Sequence, residues 1–110
     1  MSKIKTVTIE SGSSFSDSVL TADRQRNFEI CSLVLEGTYT NTSFDLQAKV
    51  DGTWFDIYDT FGAKFNVLVV DGKHSLPVDV FKDVTEIRLK GAGNEAAQRT
   101  AKFIVTDILG

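Results

Sequence analysis

A short alternation of apolar and polar residues constrains the fold of this chain more than any other feature of the sequence. In segment 44–50 an apolar side chain occupies every second position, from Phe44 to Val50, with polar or charged residues between. Period two is the pattern of a β-strand that buries one face and exposes the other. Asp51-Gly52 follows directly and supplies the positive-φ residues of a tight hairpin turn. Residues 53–59 are therefore expected to return as the partner strand.

Further strand-like segments recur at a spacing of about 8–12 residues, which is typical of a sandwich or barrel. Val and Thr each occur eleven times and Phe eight times, and these residue types suit a pleated, half-buried surface. We predict one all-β domain over residues 1–110, an antiparallel β-sandwich of about eight strands with jelly-roll-like topology. Besides the hairpin, strands are expected at 4–10, 15–20, 28–36, 65–70, 84–90 and 99–108.

Charge and hydropathy exclude several partner classes. The net charge of −3 and pI near 5.0 argue against a nucleic-acid-binding protein, because phosphate affinity needs a basic excess. No apolar run approaches the roughly 20 residues of a membrane span, so no membrane association is expected. The first residues lack the apolar segment of a secretory signal, which predicts a protein made and kept in a cytosol or assembled there.

The sequence offers no catalytic or metal-binding motif. Its one histidine, His74, and its one cysteine, Cys31, lie in different segments, and no short motif links either to a carboxylate. A calcium site near Asp51 or Asp71 would suit a sandwich, but solvated turns account better for these carboxylates. We therefore expect no enzyme activity, cofactor or bound metal.

Short motifs follow one another in a characteristic order through residues 44–105. They are the hairpin with Gly52 and Trp54, then Tyr58-Asp59, Leu76-Pro77, the strand 87–90, a Gly-rich loop and Gln98-Arg99. This order resembles the capsid decoration proteins of short-tailed bacteriophages, also called cement or staple proteins. The resemblance implies a structural virion protein on the outer capsid surface, assembled in the host cytoplasm. It also implies binding to the major capsid protein, bridging of capsomers, and a homodimer or homotrimer.

Several segments are candidates for these contacts. The extended start of the chain, residues 1–5, or its end, residues 108–110, is expected to add a strand to a neighbour's sheet edge. Loops 37–43 and 91–98 are the other candidates for capsid contact, and the Gly-rich stretch 91–95 is expected to be the most flexible. The candidate capsid contacts are Met1, Ser2, Lys3, Ile4, Lys5, Tyr39, Asn41, Gly93 and Asn94. Phe61 and Phe65 are the candidates for self-association.

Two other functions fit the same sequence. One is a structural protein of the phage tail or neck with the same sandwich fold. The other is a carbohydrate- or ligand-binding module in which Trp54 and Tyr58 form a stacking platform. Fold alone does not separate these functions.

Overall fold

The computed structural model describes residues 2–20, 27–77 and 84–108. These residues form two antiparallel sheets. The described residues contain nine strands. Their bounds are β1 Ser2–Ile9, β2 Val19–Leu20, β3 Asn27–Leu35, β4 Ser43–Val50, β5 Thr53–Asp56, β6 Asn66–Leu68, β7 Gly72–Ser75, β8 Glu86–Gly91 and β9 Arg99–Ile108.

The strand order is that of a jelly roll. The first sheet has the order β1-β9-β3-β7, and the second has β2-β8-β4-β5 with β6 also paired to β4. Because β5 and β6 pair with successive parts of the same edge of β4, they act as one interrupted strand. The chain then alternates between the sheets at every step except within this hairpin. The predicted antiparallel sandwich with jelly-roll-like order is confirmed.

Alternating side chains from both sheets fill the space between them. In β8 buried and partly exposed positions alternate without exception, as the period-two pattern predicts. Each large apolar side chain removed from water stabilises the fold by about 1.5–3 kcal/mol. The fully buried apolar residues are Val7, Ile9, Ile30, Leu33, Leu35, Phe44, Leu46, Ile87, Leu89, Phe103 and Val105.

The hairpin at Asp51-Gly52 forms as predicted. Asp51 has a φ of 53° and Gly52 a φ of 82°, and Val50 pairs with Thr53 across the turn. Two successive left-handed residues match the right-handed twist of the flanking strands. This turn fixes the register that places Trp54 opposite Lys49 on the outer face of the second sheet.

Segment 15–20 differs from the single strand expected there. Only Val19 and Leu20 form β2, while Phe15 bridges Lys90 in one sheet and Ser16 bridges Ile9 in the other. Side-chain hydrogen bonds favour this crossing, because the Ser16 hydroxyl accepts the Leu89 N–H at 2.9 Å. The segment therefore links the two sheets, and ladder pairing is limited to its last two residues.

Candidate partner-binding surface

A short excursion interrupts the outer strand of the second sheet between β5 and β6. We call residues 57–65 the 57–65 loop. Its base is closed by a bridge between Tyr58 and Lys64 and by a hydrogen bond of 2.7 Å from the Phe65 N–H to the Ile57 carbonyl. The loop thus leaves the sheet edge and returns to it over a defined base.

The Asp59 carboxylate organises the tip of the 57–65 loop. Its Oδ1 accepts the backbone N–H groups of Phe61 at 2.8 Å and Ala63 at 3.0 Å. Backbone bonds between Asp59 and Gly62 and between Ala63 and Asp59 tighten the turn, and Gly62 has the positive φ of 87° that this turn requires. An aspartate that satisfies the N–H groups two and four residues ahead pre-orders the loop.

Phe61 stands at this ordered tip with 94% of its surface exposed. Scattered exposed apolar residues are common, but a large aromatic ring held out on a fixed backbone is a typical anchor of a protein interface. Phe65 is placed differently, because its side chain is half-buried and packs against the core. Of the two predicted self-association residues, the structure therefore exposes Phe61 almost completely and turns Phe65 largely inward.

Charged groups surround the base of the loop. The Lys64 Nζ lies 3.6 Å from Asp56 Oδ2 and 3.8 Å from Asp45 Oδ2. The Gln47 amide donates to Asp56 Oδ1 at 2.9 Å, and this bond, assisted by Lys64, lowers the pKa of Asp56. Proximity to Asp56 in turn raises the pKa of Lys64. Such exposed pairs add little stability but help to fix the direction in which the loop leaves the sheet.

Loops 37–43 and 91–98 are joined by a buried carboxylate. Glu95 is 1% exposed, and its side chain accepts the N–H groups of Thr40 at 2.7 Å and Asn41 at 2.9 Å. The Arg99 Nε donates to Glu95 Oε1 at 3.1 Å, and the Asn41 amide donates to Oε2. We call these four residues the Glu95 cluster. Burial acts to raise the pKa of Glu95, but these hydrogen bonds outweigh it and lower the pKa below its ordinary value.

The Glu95 cluster corrects the prediction that residues 91–95 are the most flexible part of the chain. The Asn41 amide exchanges hydrogen bonds of 2.9 Å with the backbone of Gly93. Gly91 passes so close to Asn41 that a Cβ at position 91 would overlap its amide group. The predicted contact Asn41 is thus a buried structural residue, whereas Gly93 and Asn94 lie exposed at the surface.

Tyr39 also serves the fold. Its ring meets Phe44 edge to face, with 5.5 Å between centroids. Its hydroxyl donates to the Thr100 carbonyl at 2.6 Å, and burial raises its pKa. The predicted contact Tyr39 therefore holds loop 37–43 against β9, and only part of its surface is exposed.

The first residues do not form a free arm. Ser2, Lys3, Ile4 and Lys5 are the first half of β1 and pair with β9 in continuous register, from Ser2 opposite Thr106 to Lys5 opposite Phe103. The expectation of a loose strand donor is corrected here, because these residues already belong to a sheet of their own chain. Met1 and residues 109–110 lie outside the described residues. β1 is the outermost strand of its sheet, so this region presents an edge to a partner.

The residues considered for catalysis have structural partners. His74 Nε2 lies 2.7 Å from the Val70 carbonyl oxygen, and Cys31 Sγ lies 3.2 Å from the Thr106 hydroxyl. Over the part of the chain that the structure describes, no group of three or more His, Cys, Asp or Glu side chains is placed to hold a metal ion. The same residues include no helix with the length and apolar character needed to cross a membrane.

Comparison with known proteins adds no family assignment. The sequence matches no protein-family model, and searches of curated proteins and of solved structures give no significant match.

Proposed function

We propose that this protein is a structural component of a bacteriophage virion, a decoration protein that binds the outer surface of the assembled capsid and bridges neighbouring capsomers. The observation that carries the proposal is Phe61, which is 94% exposed on a loop ordered by Asp59. The proposed partner is the major capsid protein, and the proposed location is the capsid surface after assembly in the host cytoplasm.

Pre-ordering of the loop is what makes Phe61 suitable as an anchor. Ordering a flexible loop on binding costs free energy. The two bonds to the Asp59 carboxylate order this loop in the free protein, so that cost does not reduce the free energy of binding. A Phe ring that enters an apolar pocket of the partner then contributes most of its transfer free energy, about 2 kcal/mol, to association. Interfaces are commonly dominated by a few such side chains.

The stabilising effect follows from linkage. A protein that binds the assembled shell and not its separated subunits adds its binding free energy to the stability of the shell. The jelly roll is compatible with this role, since it occurs in viral capsid domains, but it also occurs in lectins. The exposed anchor and the resemblance over residues 44–105 therefore support the proposal, and the fold by itself does not decide it.

The proposed homodimer or homotrimer gives Phe61 a second possible neighbour, another copy of this chain. Light scattering on the purified protein separates the two. If Phe61 joins two copies, the protein is an oligomer and Phe61→Ala is a monomer. If Phe61 meets the capsid protein instead, the substitution leaves the oligomeric state unchanged and weakens attachment to the shell.

Quantitative mass spectrometry of purified particles tests the function itself. We expect this chain in a copy number comparable with that of the major capsid protein. A copy number that matches a tail or neck component would assign the protein to that part of the virion, which was the second interpretation of the sequence. Absence from particles would contradict a virion role altogether.

A further inference from the structure

A second surface, on the outer face of the β2-β8-β4-β5 sheet, contains a sandwiched arginine. The guanidinium carbon of Arg88 lies 4.1 Å from the ring centre of Phe15 and 4.3 Å from that of Trp54. Both aromatic rings thus stack with the same cation. We call Arg88, Phe15 and Trp54 the arginine sandwich.

The orientation of the guanidinium is fixed by one hydrogen bond. Arg88 Nε donates to Gln47 Oε1 at 2.9 Å, and Gln47 in turn donates to Asp56. In the described part of the chain no carboxylate pairs with Arg88, and its terminal nitrogens donate to no protein group. Partial burial disfavours the charged form and lowers the pKa of Arg88. Stacking on the two rings offsets part of the cost of burying this cation, and its terminal N–H groups remain available to an acceptor from outside the described chain.

The carboxylates of this face have other partners. Asp45 and Asp56 both pair with Lys64, and Glu86 accepts a hydrogen bond from the Ser18 hydroxyl. Lys49 adds a second cation, with its Nζ 5.8 Å from the Trp54 ring centre. Arg88 therefore lies between Glu86 and Lys90 on a face that carries charges of both signs.

Stacking restricts how a ligand reaches Arg88. The Phe15 and Trp54 rings cover part of the guanidinium, and its terminal N–H groups lie in the guanidinium plane. Two parallel in-plane donors fit the two oxygens of a carboxylate. The rim of the arginine sandwich is apolar, because Phe15 is partly exposed and Leu20 lies exposed opposite Glu86 on the same face.

We propose that the arginine sandwich is a binding site for an acidic peptide segment of a partner protein, which places an Asp or Glu carboxylate against the edge of Arg88. The apolar rim then contacts side chains that flank the carboxylate. A glycan is disfavoured, because a cation already stacks on Trp54 and the ring is not an open platform for a sugar. The site is separate from the 57–65 loop, and the inference does not rest on the proposed virion role.

Titration of the full-length protein with fluorescein-labelled poly-L-glutamate in about 0.1 M salt tests this inference. Anisotropy reports binding, and Trp54 fluorescence reports whether the arginine sandwich is engaged. Three variants are compared: Arg88→Gln removes the charge, Arg88→Lys keeps the charge without the planar fork, and Lys102→Gln removes an exposed cation from the other sheet. Circular dichroism of each variant confirms that it is folded.

We expect the wild-type protein and Lys102→Gln to bind alike, and both Arg88 variants to bind about tenfold more weakly or worse, because a charge-assisted bidentate contact is lost. Equal binding by all four proteins would overturn the inference, since it would indicate diffuse charge attraction. A wild-type protein that does not bind poly-L-glutamate would also overturn the inference. Preferential binding of polygalacturonate would overturn it too, because it would indicate a glycan site.

Discussion

In two loop regions of this molecule a carboxylate accepts backbone hydrogen bonds and orders the chain, but the exposure of the ordered side chains is opposite. In the Glu95 cluster the carboxylate is buried and holds two loops to each other. In the 57–65 loop the Asp59 carboxylate holds a single loop to itself and leaves an aromatic ring in solvent. Both loops are ordered, so order alone does not identify a binding surface. The two regions differ in where the ordered side chains point, into the fold in the Glu95 cluster and into solvent at Phe61.

The comparison separates stability from binding. A substitution in the Glu95 cluster leaves buried donors without an acceptor, and that cost falls on the folded state. A substitution at Phe61 removes a side chain that touches little of its own protein, so its effect falls on association. The loss of stability is therefore expected to be largest for substitutions in the Glu95 cluster and smallest at Phe61.

Glu95→Gln is expected to destabilise the protein most, by about 3 kcal/mol, because a neutral amide leaves Arg99 without its charge partner and turns a donor toward other donors. Urea unfolding followed by circular dichroism measures this change. Glu10→Gln is the matched control, since Glu10 is exposed and, among the described residues, its carboxylate makes only long contacts of 3.4 and 3.5 Å with Gln98. Equal stability of the two variants would show that the Glu95 cluster does not hold the loops together.

Gly91→Ala is expected to cost about 1–3 kcal/mol, because the new methyl group overlaps the Asn41 amide and forces it from Glu95. Gly93→Ala offers a paired control two residues away, where an added Cβ meets nothing within 4 Å. Thermal or urea unfolding of both variants checks the prediction. A Gly93 variant as unstable as the Gly91 variant would point to backbone flexibility in place of the Asn41 contact.

Acidification is expected to remove the contribution of Glu95. Its folded-state pKa lies below the ordinary value of 4.5, so the stabilisation is fully present above that pH and is lost as the pH falls through the folded-state value. The difference in unfolding free energy between wild type and Glu95→Gln should therefore shrink below about pH 4.5. Because Asp56, whose pKa is also lowered, is present in both proteins, its effect cancels. A difference that stays constant down to acid pH would contradict the assignment.

The sequence predicted the parts of this fold that depend on local pattern. Alternation in segments 44–50 and 84–90 predicted the buried faces of β8 and of β4 up to Ala48, since side-chain direction in a strand repeats every two residues. It was wrong at Val50, which is exposed at the hairpin turn, and at Gln47, which is buried on the outer face by its bonds to Arg88 and Asp56. The Asp51-Gly52 pair predicted the hairpin turn, because these two residue types readily adopt positive φ angles. The number and type of strands, and hence the sandwich, followed from these elements.

The parts it missed depend on distant partners. Glu95 accepts hydrogen bonds from residues 54 and 55 positions away, and no local pattern marks such a residue as buried. The glycines near Glu95 led to the prediction of a flexible loop at residues 91–95. In the structure Gly91 has no side chain at the point where the Asn41 amide packs against it. The arginine sandwich was missed for the same reason, because three separate segments of the chain bring its members together. Asp59, by contrast, had a usable signal, an aspartate three residues before Gly62 in a turn.

The central claim is that Phe61 joins this protein to its virion, and its substitution on the shell tests that claim most directly. Particles depleted of this chain are incubated with labelled wild type, Phe61→Ala or Val70→Ala, the last removing an exposed apolar side chain elsewhere. We predict that Phe61→Ala unfolds within about 0.5 kcal/mol of wild type yet binds at least about tenfold more weakly, while Val70→Ala binds normally. Equal occupancy by all three proteins would contradict the account.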